Sequence, residues 1–132
     1  MKRLLPALVV WFAASGAHAD SFEEHDYILN CAGCHQVNGA GSATVPSLRG
    51  LSVLSDSSRT RVYLIRVPGV AQAPLSDERL AALMNWLLER FTGKSPTPRY
   101  TAEEVAHVRK SPLLDPSAER ARLSSATRNS AE

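Results

Sequence analysis

This chain of 132 residues has only two cysteines, Cys31 and Cys34, standing three positions apart. That scarcity excludes a disulfide framework, which needs several cysteines spread along the chain. A bridge between these two would close a very small loop and stabilise little. A structural zinc site draws four ligands from cysteine and histidine. Beyond residue 19 the histidines are His25, His35 and His107, and none lies at finger-like spacing. Long apolar runs are missing too. The longest, Leu4 to Ala14, is broken by Pro6; at about 11 residues it is well short of the roughly 20 that a membrane span needs. The chain has no glycine-rich phosphate loop, no pair of carboxylates at distinctive spacing and no internal repeat.

The first 19 residues have a purpose of their own. Lys2 and Arg3 precede the apolar run, and Ala17-His18-Ala19 places small residues at the two positions a signal peptidase inspects. This is the pattern of a cleavable secretory signal, so the expected location is the periplasm and the mature chain begins at Asp20, with no membrane span. Losing Lys2 and Arg3 takes the 15 basic residues to 13, against 13 acidic ones. A balanced surface argues against nucleic acid as a partner, because neutralising phosphates requires net or clustered basic charge.

Local signals divide the rest of the chain. Residues 21–31 read as a short helix leading into the cysteines, with Tyr27 and Ile28 as its buried positions. Glycines, Pro46 and serines make 36–60 a loop with at most short turns. Residues 60–67 are ambiguous between helix and strand, and Pro68-Gly69 ends them. The strongest element is 77–91. Ser76 is an N-cap, Asp77 and Glu78 complement the helix dipole, and Leu80, Leu83, Met84, Leu87, Leu88 and Phe91 recur on one face. Gly93 suits the C-terminal cap. Thr101 with Glu104 forms a capping box for a helix over 102–110. Asp115-Pro116 can start another. The small, polar end, 124–132, is expected to be disordered.

The pentapeptide Cys31-Ala32-Gly33-Cys34-His35 carries the chemistry. Cys-x-x-Cys-His is the haem-attachment signature. Two thiols about one helical turn apart can each bond one vinyl group of a porphyrin, and the next residue then brings an imidazole nitrogen to the iron. Ala32 and Gly33 are small enough to let the backbone approach the ring. A thiol–disulfide redox pair would sit at a strand-to-helix turn in an α/β pattern, and this chain has no series of strands alternating with helices.

Over 22–91 the sequence resembles the small single-haem cytochrome c family of class I type. Tyr27, four before Cys31, stands where that family has an aromatic on its first helix. Val45-Pro46-Ser47-Leu48-Arg49-Gly50 resembles the family's Gly-Pro-x-Leu-x-Gly, with Val45 replacing the first glycine. The resemblance implies that the Pro46 carbonyl accepts the second N–H of His35, fixing its tautomer. It also implies that Trp86, on the last family helix, packs against Tyr27. The implied fold is all-α: a small domain at 20–93, with three to five helices around one covalent haem c. A helical extension, read as a packed tail, occupies 94–132. The cofactor-binding residues are Cys31, Cys34, His35 and Pro46, and His35 is the iron ligand.

One departure stands out. The family supplies a methionine as sixth iron ligand from the loop before its last helix, and Arg66 to Leu75 contains none. After Met1 only Met84 remains, placed by helical phase in the core, where methionine usually serves as filler. His107 lies beyond the prolines at 96 and 98. The expected function is a periplasmic one-electron carrier or electron-transfer subunit of an oxidoreductase, rather than an enzyme. Its redox partner would be a periplasmic dehydrogenase or an oxidase. The alternative is a small-molecule-binding or peroxide-reactive haem protein with an open distal iron site, since the distal pocket decides between binding, activation and electron transfer.

The attachment signature has a direct test. Haem should remain with the denatured protein through acidic acetone extraction and give a c-type pyridine haemochrome. Replacing both Cys31 and Cys34 with alanine should send all of it into the organic phase.

Overall fold

The computed structural model describes residues 21–54 and 57–129; the export segment expected at 1–19 lies outside them. Ser21 caps the first helix, α1 (Phe22–Asn30), its Oγ accepting from the Glu24 amide at 3.2 Å. The helix breaks at Cys31, whose backbone leaves helical geometry, and a single turn, α2 (Ala32–His35), follows. A 3-10 helix, Leu48–Val53, punctuates the glycine-rich loop.

The ambiguous segment is helical: α3 spans Ser58–Arg66, capped by Ser57. Its short apolar run, Val62 to Ile65 between arginines, suits either structure locally, and the burial of Thr60, Tyr63, Leu64 and Ile65 in the helical arrangement decides it. Pro68 does not simply stop the chain. It takes a first-turn position, where its missing N–H costs nothing, and opens the one-turn α4 (Pro68–Ala71). Helix α5 (Asp77–Thr92) has the expected Ser76 cap and ends on Gly93 in the left-handed conformation (φ 73°). Thr101 caps α6 (Ala102–Val108). Helix α7 (Pro116–Asn129) runs through Ser124, where disorder is expected from composition. Leu123, 5% exposed in the core, supplies the anchor that the polar residues around it obscure.

The central packing is α1 against α5. Tyr27, 1% exposed, sets its ring 5.7 Å from that of Trp86 and 5.2 Å from that of Phe91. The expected Tyr27–Trp86 pair is therefore present, with Phe91 as its third member. Trp86 itself is only partly buried, because it lies on the flank of the face that Leu83 and Leu87 bury. Gly39 (φ +71°) seats the cluster from the loop side, since a Cβ there would meet Phe91 Cε1 at 2.5 Å.

The second expected core position on α1 is corrected. Ile28 is 42% exposed, and Asp26 is the buried neighbour at 2%. Arg79 on α5 explains this. Its guanidinium grips both Asp26 carboxylate oxygens, with Nε to Oδ2 at 3.1 Å. A carboxylate can be buried when it is paired and hydrogen-bonded.

The C-terminal segment shares the same core. Tyr100, Val105 and Leu123 join the cluster that contains Tyr27, Leu80 and Leu83. Asn85, buried on α5, exchanges two hydrogen bonds with the backbone of Tyr100, at 3.0 and 2.8 Å. Arg61 on α3 holds the Glu104 carboxylate with both Nε and Nη2, and its guanidinium stacks 4.0 Å over the Tyr100 ring.

The aromatic cluster predicts coupled stability. Tyr27→Ala should cost about 3–5 kcal/mol, as for a fully buried aromatic. Trp86→Ala should cost less, because part of the indole is already in water. A double-mutant cycle of the haem-loaded protein, read by denaturant unfolding, should give a coupling of about 0.5–1.5 kcal/mol. Additive losses would mean that the ring contact contributes nothing.

Candidate haem site

The attachment segment is held from both sides by one residue. The Tyr27 carbonyl accepts the Cys31 amide at 2.9 Å, and the Tyr27 hydroxyl donates to the Gln36 carbonyl at 2.6 Å. Between these points the Cys34 and His35 amides both donate to the Cys31 carbonyl, at 3.1 and 2.9 Å. Gln36 then takes a positive φ of 61° and reverses the chain. The reversal is closed by Gly41 N donating to His35 O at 3.1 Å and by Gln36 Nε2 donating to Gly41 O at 2.5 Å. Gly41 (φ +73°) cannot be replaced here without strain, because a Cβ would meet Val45 O at 2.3 Å.

His35 Nδ1 lies 3.1 Å from the Pro46 carbonyl oxygen. A carbonyl only accepts, so Nδ1 carries the proton and Nε2 keeps its lone pair, the form that binds metal. Burial pulls the His35 pKa below its ordinary value; the Pro46 bond opposes this, and the positive charge of Arg120 adds to the lowering. Burial also pushes the Cys31 thiol up to about 11, helped by the neighbouring Asp26 charge and by Cys34. Before haem is attached, Cys31 is thus held as the neutral thiol. The two sulfurs are not bridged to each other, and Cys34 is exposed.

Cys31, His35 and Pro46 open onto a cavity of about 530 Å³, and Cys34 is not among its lining residues; the volume is within the range usual for cofactor-sized ligands. Cys31, His35, Pro46 and Leu48 form one side. Leu64, Val67 and Val70 form another, and Met84 and Leu87 of α5 contribute from the core. The remaining wall comes from α7, through Pro116, Ser117, Arg120, Ala121 and Ser124. That wall has no signal in the motif, since helical phase becomes meaningful only once α7 is known to dock.

The donor set and the cavity fit haem c: two thiols about one turn apart, a neutral imidazole with an unprotonated nitrogen, and a mostly apolar crevice beside them. The loop that lacks methionine presents Val67 and Val70 in its stead. Met84 touches the crevice while being 3% exposed in the core. His25 and His107 are exposed, and neither lines the cavity. Arg66 points away from it, donating to the Ser111 carbonyl at 2.6 Å.

Arg109 was not singled out by the sequence, yet it organises the loop that follows α4. Its guanidinium donates to the carbonyls of Ala71 (2.9 Å), Ala73 (2.6 Å) and Leu75 (3.0 Å), and to Asp77 Oδ1 at 3.1 Å. A single fork thus satisfies three backbone acceptors of an irregular segment whose Ala71 and Ala73 are buried.

The Cytochrome c family model matches residues 22–109. The match runs past the end of α5, through α6 and up to Arg109. No curated protein and no solved structure matches the chain. The chain belongs to the cytochrome c family: it carries covalently bound haem c with its iron, and it transfers electrons with a redox partner.

The Arg109 fork predicts a local failure. Arg109→Ala should lower stability by roughly 2–4 kcal/mol, the loss of several charge-assisted bonds partly replaced by water. Amide exchange should accelerate most between Ala71 and Leu75, with α1 little changed. Uniform acceleration along the chain would show that the fork does not act locally.

Proposed function

We propose that this protein is an exported, periplasmic one-electron carrier, or the electron-transfer subunit of an oxidoreductase. In this reading Cys31 and Cys34 form the thioethers, His35 is the proximal iron ligand and Pro46 is the acceptor that orients it. The observation that carries the reading is the His35–Pro46 contact at 3.1 Å, beside Cys31 and at the wall of an apolar crevice. Export is supported by the charged start, apolar run and Ala17-His18-Ala19 site of the sequence. Among the described residues no helix is long and apolar enough to cross a membrane. A periplasmic dehydrogenase or an oxidase fits as partner, and the balanced charge of the mature chain gives neither sign a steering advantage.

When bound, the haem supplies a one-electron couple between ferric and ferrous iron. The chain's own residues hold and shield it. His35 presents its lone pair, the Pro46 carbonyl keeps the ring from rotating, and Leu64, Val67 and Leu87 exclude water from the crevice. Among the described residues, the side chains lining the cavity include no carboxylate that could act as a distal acid or base, which favours electron transfer over activation of peroxide. Val67 and Val70, in the loop that has no methionine, also favour a second reading: their side chains carry no atom that could ligate iron, so haem held here would leave room for a small neutral molecule.

The test is ligation spectroscopy. Ferric protein should lack the near-infrared methionine-to-iron band, and Met84→Leu and His107→Ala should leave the spectrum unchanged. The ferrous protein should take up carbon monoxide, and its potential should lie below those of methionine-ligated relatives. A band in the wild type that vanishes in Met84→Leu would make Met84 the ligand and close the site to the second reading.

A further inference from the structure

The crevice has one feature that electron transfer alone does not account for. Among the described residues its walls are apolar or neutral, apart from Cys31, His35 and one permanent cation, Arg120. Among the described residues no carboxylate lines the cavity and Arg120 makes no ion pair. It does not simply reach into solvent. Its Nη2 would stand 3.9 Å from a Cβ at Gly50, so the guanidinium lies against the turn that follows Pro46. A half-buried guanidinium facing an apolar cavity calls for an anion, ideally a planar carboxylate that can accept two N–H bonds.

The haem brings two such groups, its propionates. In haem the propionates stand on the two pyrroles that carry no vinyl group, so thioethers to Cys31 and Cys34 would leave both carboxylates free to take a partner. We propose that Arg120 pairs with a haem propionate and so fastens α7 over the crevice, making the C-terminal helix a strap held closed by the cofactor. This rests on the covalent haem assigned above. The face that α7 turns to the crevice is suited to it: Pro116, Ser117, Ala121 and Ser124 are small and let the helix approach a flat ring, with Arg120 the one long side chain among them.

Other charged groups near α7 are turned elsewhere. Glu119 pairs with Arg122 at 3.0 Å and shares a separate surface pocket with Arg59 and Arg66 of α3. Arg49, beside Gly50, donates to the Asn38 carbonyl at 2.8 Å. In the haem-loaded protein Cys31 and His35 are bonded, which leaves the propionate as the titrating group that Arg120 faces.

The experiment compares haem-loaded wild type, Arg120→Gln and Arg120→Lys, each first shown to give a c-type haemochrome. That check separates a failure of attachment from a failure of this assignment. A nearby guanidinium favours the ionised propionate, so its loss raises the pKa. The inflection in the plot of midpoint potential against pH should move up by about one pH unit in Arg120→Gln, and the potential at neutral pH should fall because a positive charge near the iron is lost. Arg120→Lys should stay close to wild type. Amide exchange in α7 should quicken about tenfold in Arg120→Gln and hardly at all in α1. Superimposable potential curves would overturn the proposal. A wild-type potential that shifts with added acetate, and a glutamine variant that ignores it, would assign Arg120 to a free anion and overturn it as well.

Discussion

Tyr27 stands one helical turn before Cys31, and its burial fixes both ends of the attachment segment. Its ring is clamped between Trp86 and Phe91 of α5, its carbonyl receives Cys31, and its hydroxyl holds Gln36. The five residues that carry the chemistry therefore hang from one side chain in the α1–α5 contact. The Asp26–Arg79 pair on the adjacent face sets the rotation of α1 about its axis. If α1 turned by one residue, Cys31 and His35 would leave the crevice together.

Around that fixed point the crevice is assembled from segments far apart in sequence. Pro46 arrives on a loop that Gly39 and Gly41 allow to pass close to Phe91 and Val45. Val67 and Val70 arrive on the turn that Pro68 initiates. Arg109 then holds the following loop by its carbonyls, so the residue just past α6 decides the shape of the side where the methionine-free loop lies. The C-terminal segment is thus part of the site. Tyr100 and Val105 seal the outer face of α5, and α7 supplies a wall of the cavity itself.

Electrostatics follow the same division. The thiol of Cys31 and the imidazole of His35 are both pushed toward neutrality by burial. Neutral donors suit a mostly apolar crevice, since an unpaired ion there would carry a large desolvation penalty. Arg120 is the exception, a permanent cation on a wall where nothing of opposite charge among the described residues faces it.

Much of this was legible in the residues. CAGCH has the spacing that two thioethers and a neighbouring imidazole need, and the family match agrees with a covalent haem. The caps at Ser76, Gly93 and Thr101 mark helix ends because they satisfy backbone groups within three or four residues, and the apolar phase of α5 names the core face. Short-range physics writes such features into short windows of sequence. What the windows could not hold were interactions between distant segments. Ile28 is as apolar as Tyr27, and only the position of α5 decided that Asp26 would be buried in its place, against Arg79. Residues 60–67 suit helix or strand until Tyr63, Leu64 and Ile65 find a core to enter. Residues 124–129 read as disordered until Leu123 finds a site. Arg109 and Arg120 are two of many arginines in the sequence, distinguished only by the carbonyls and the cavity they meet. The sequence by itself determined the cofactor, its attachment and the principal helices, because each depends on neighbours in the chain. Tertiary structure alone decided the walls of the crevice, because burial is conferred by whatever else packs there.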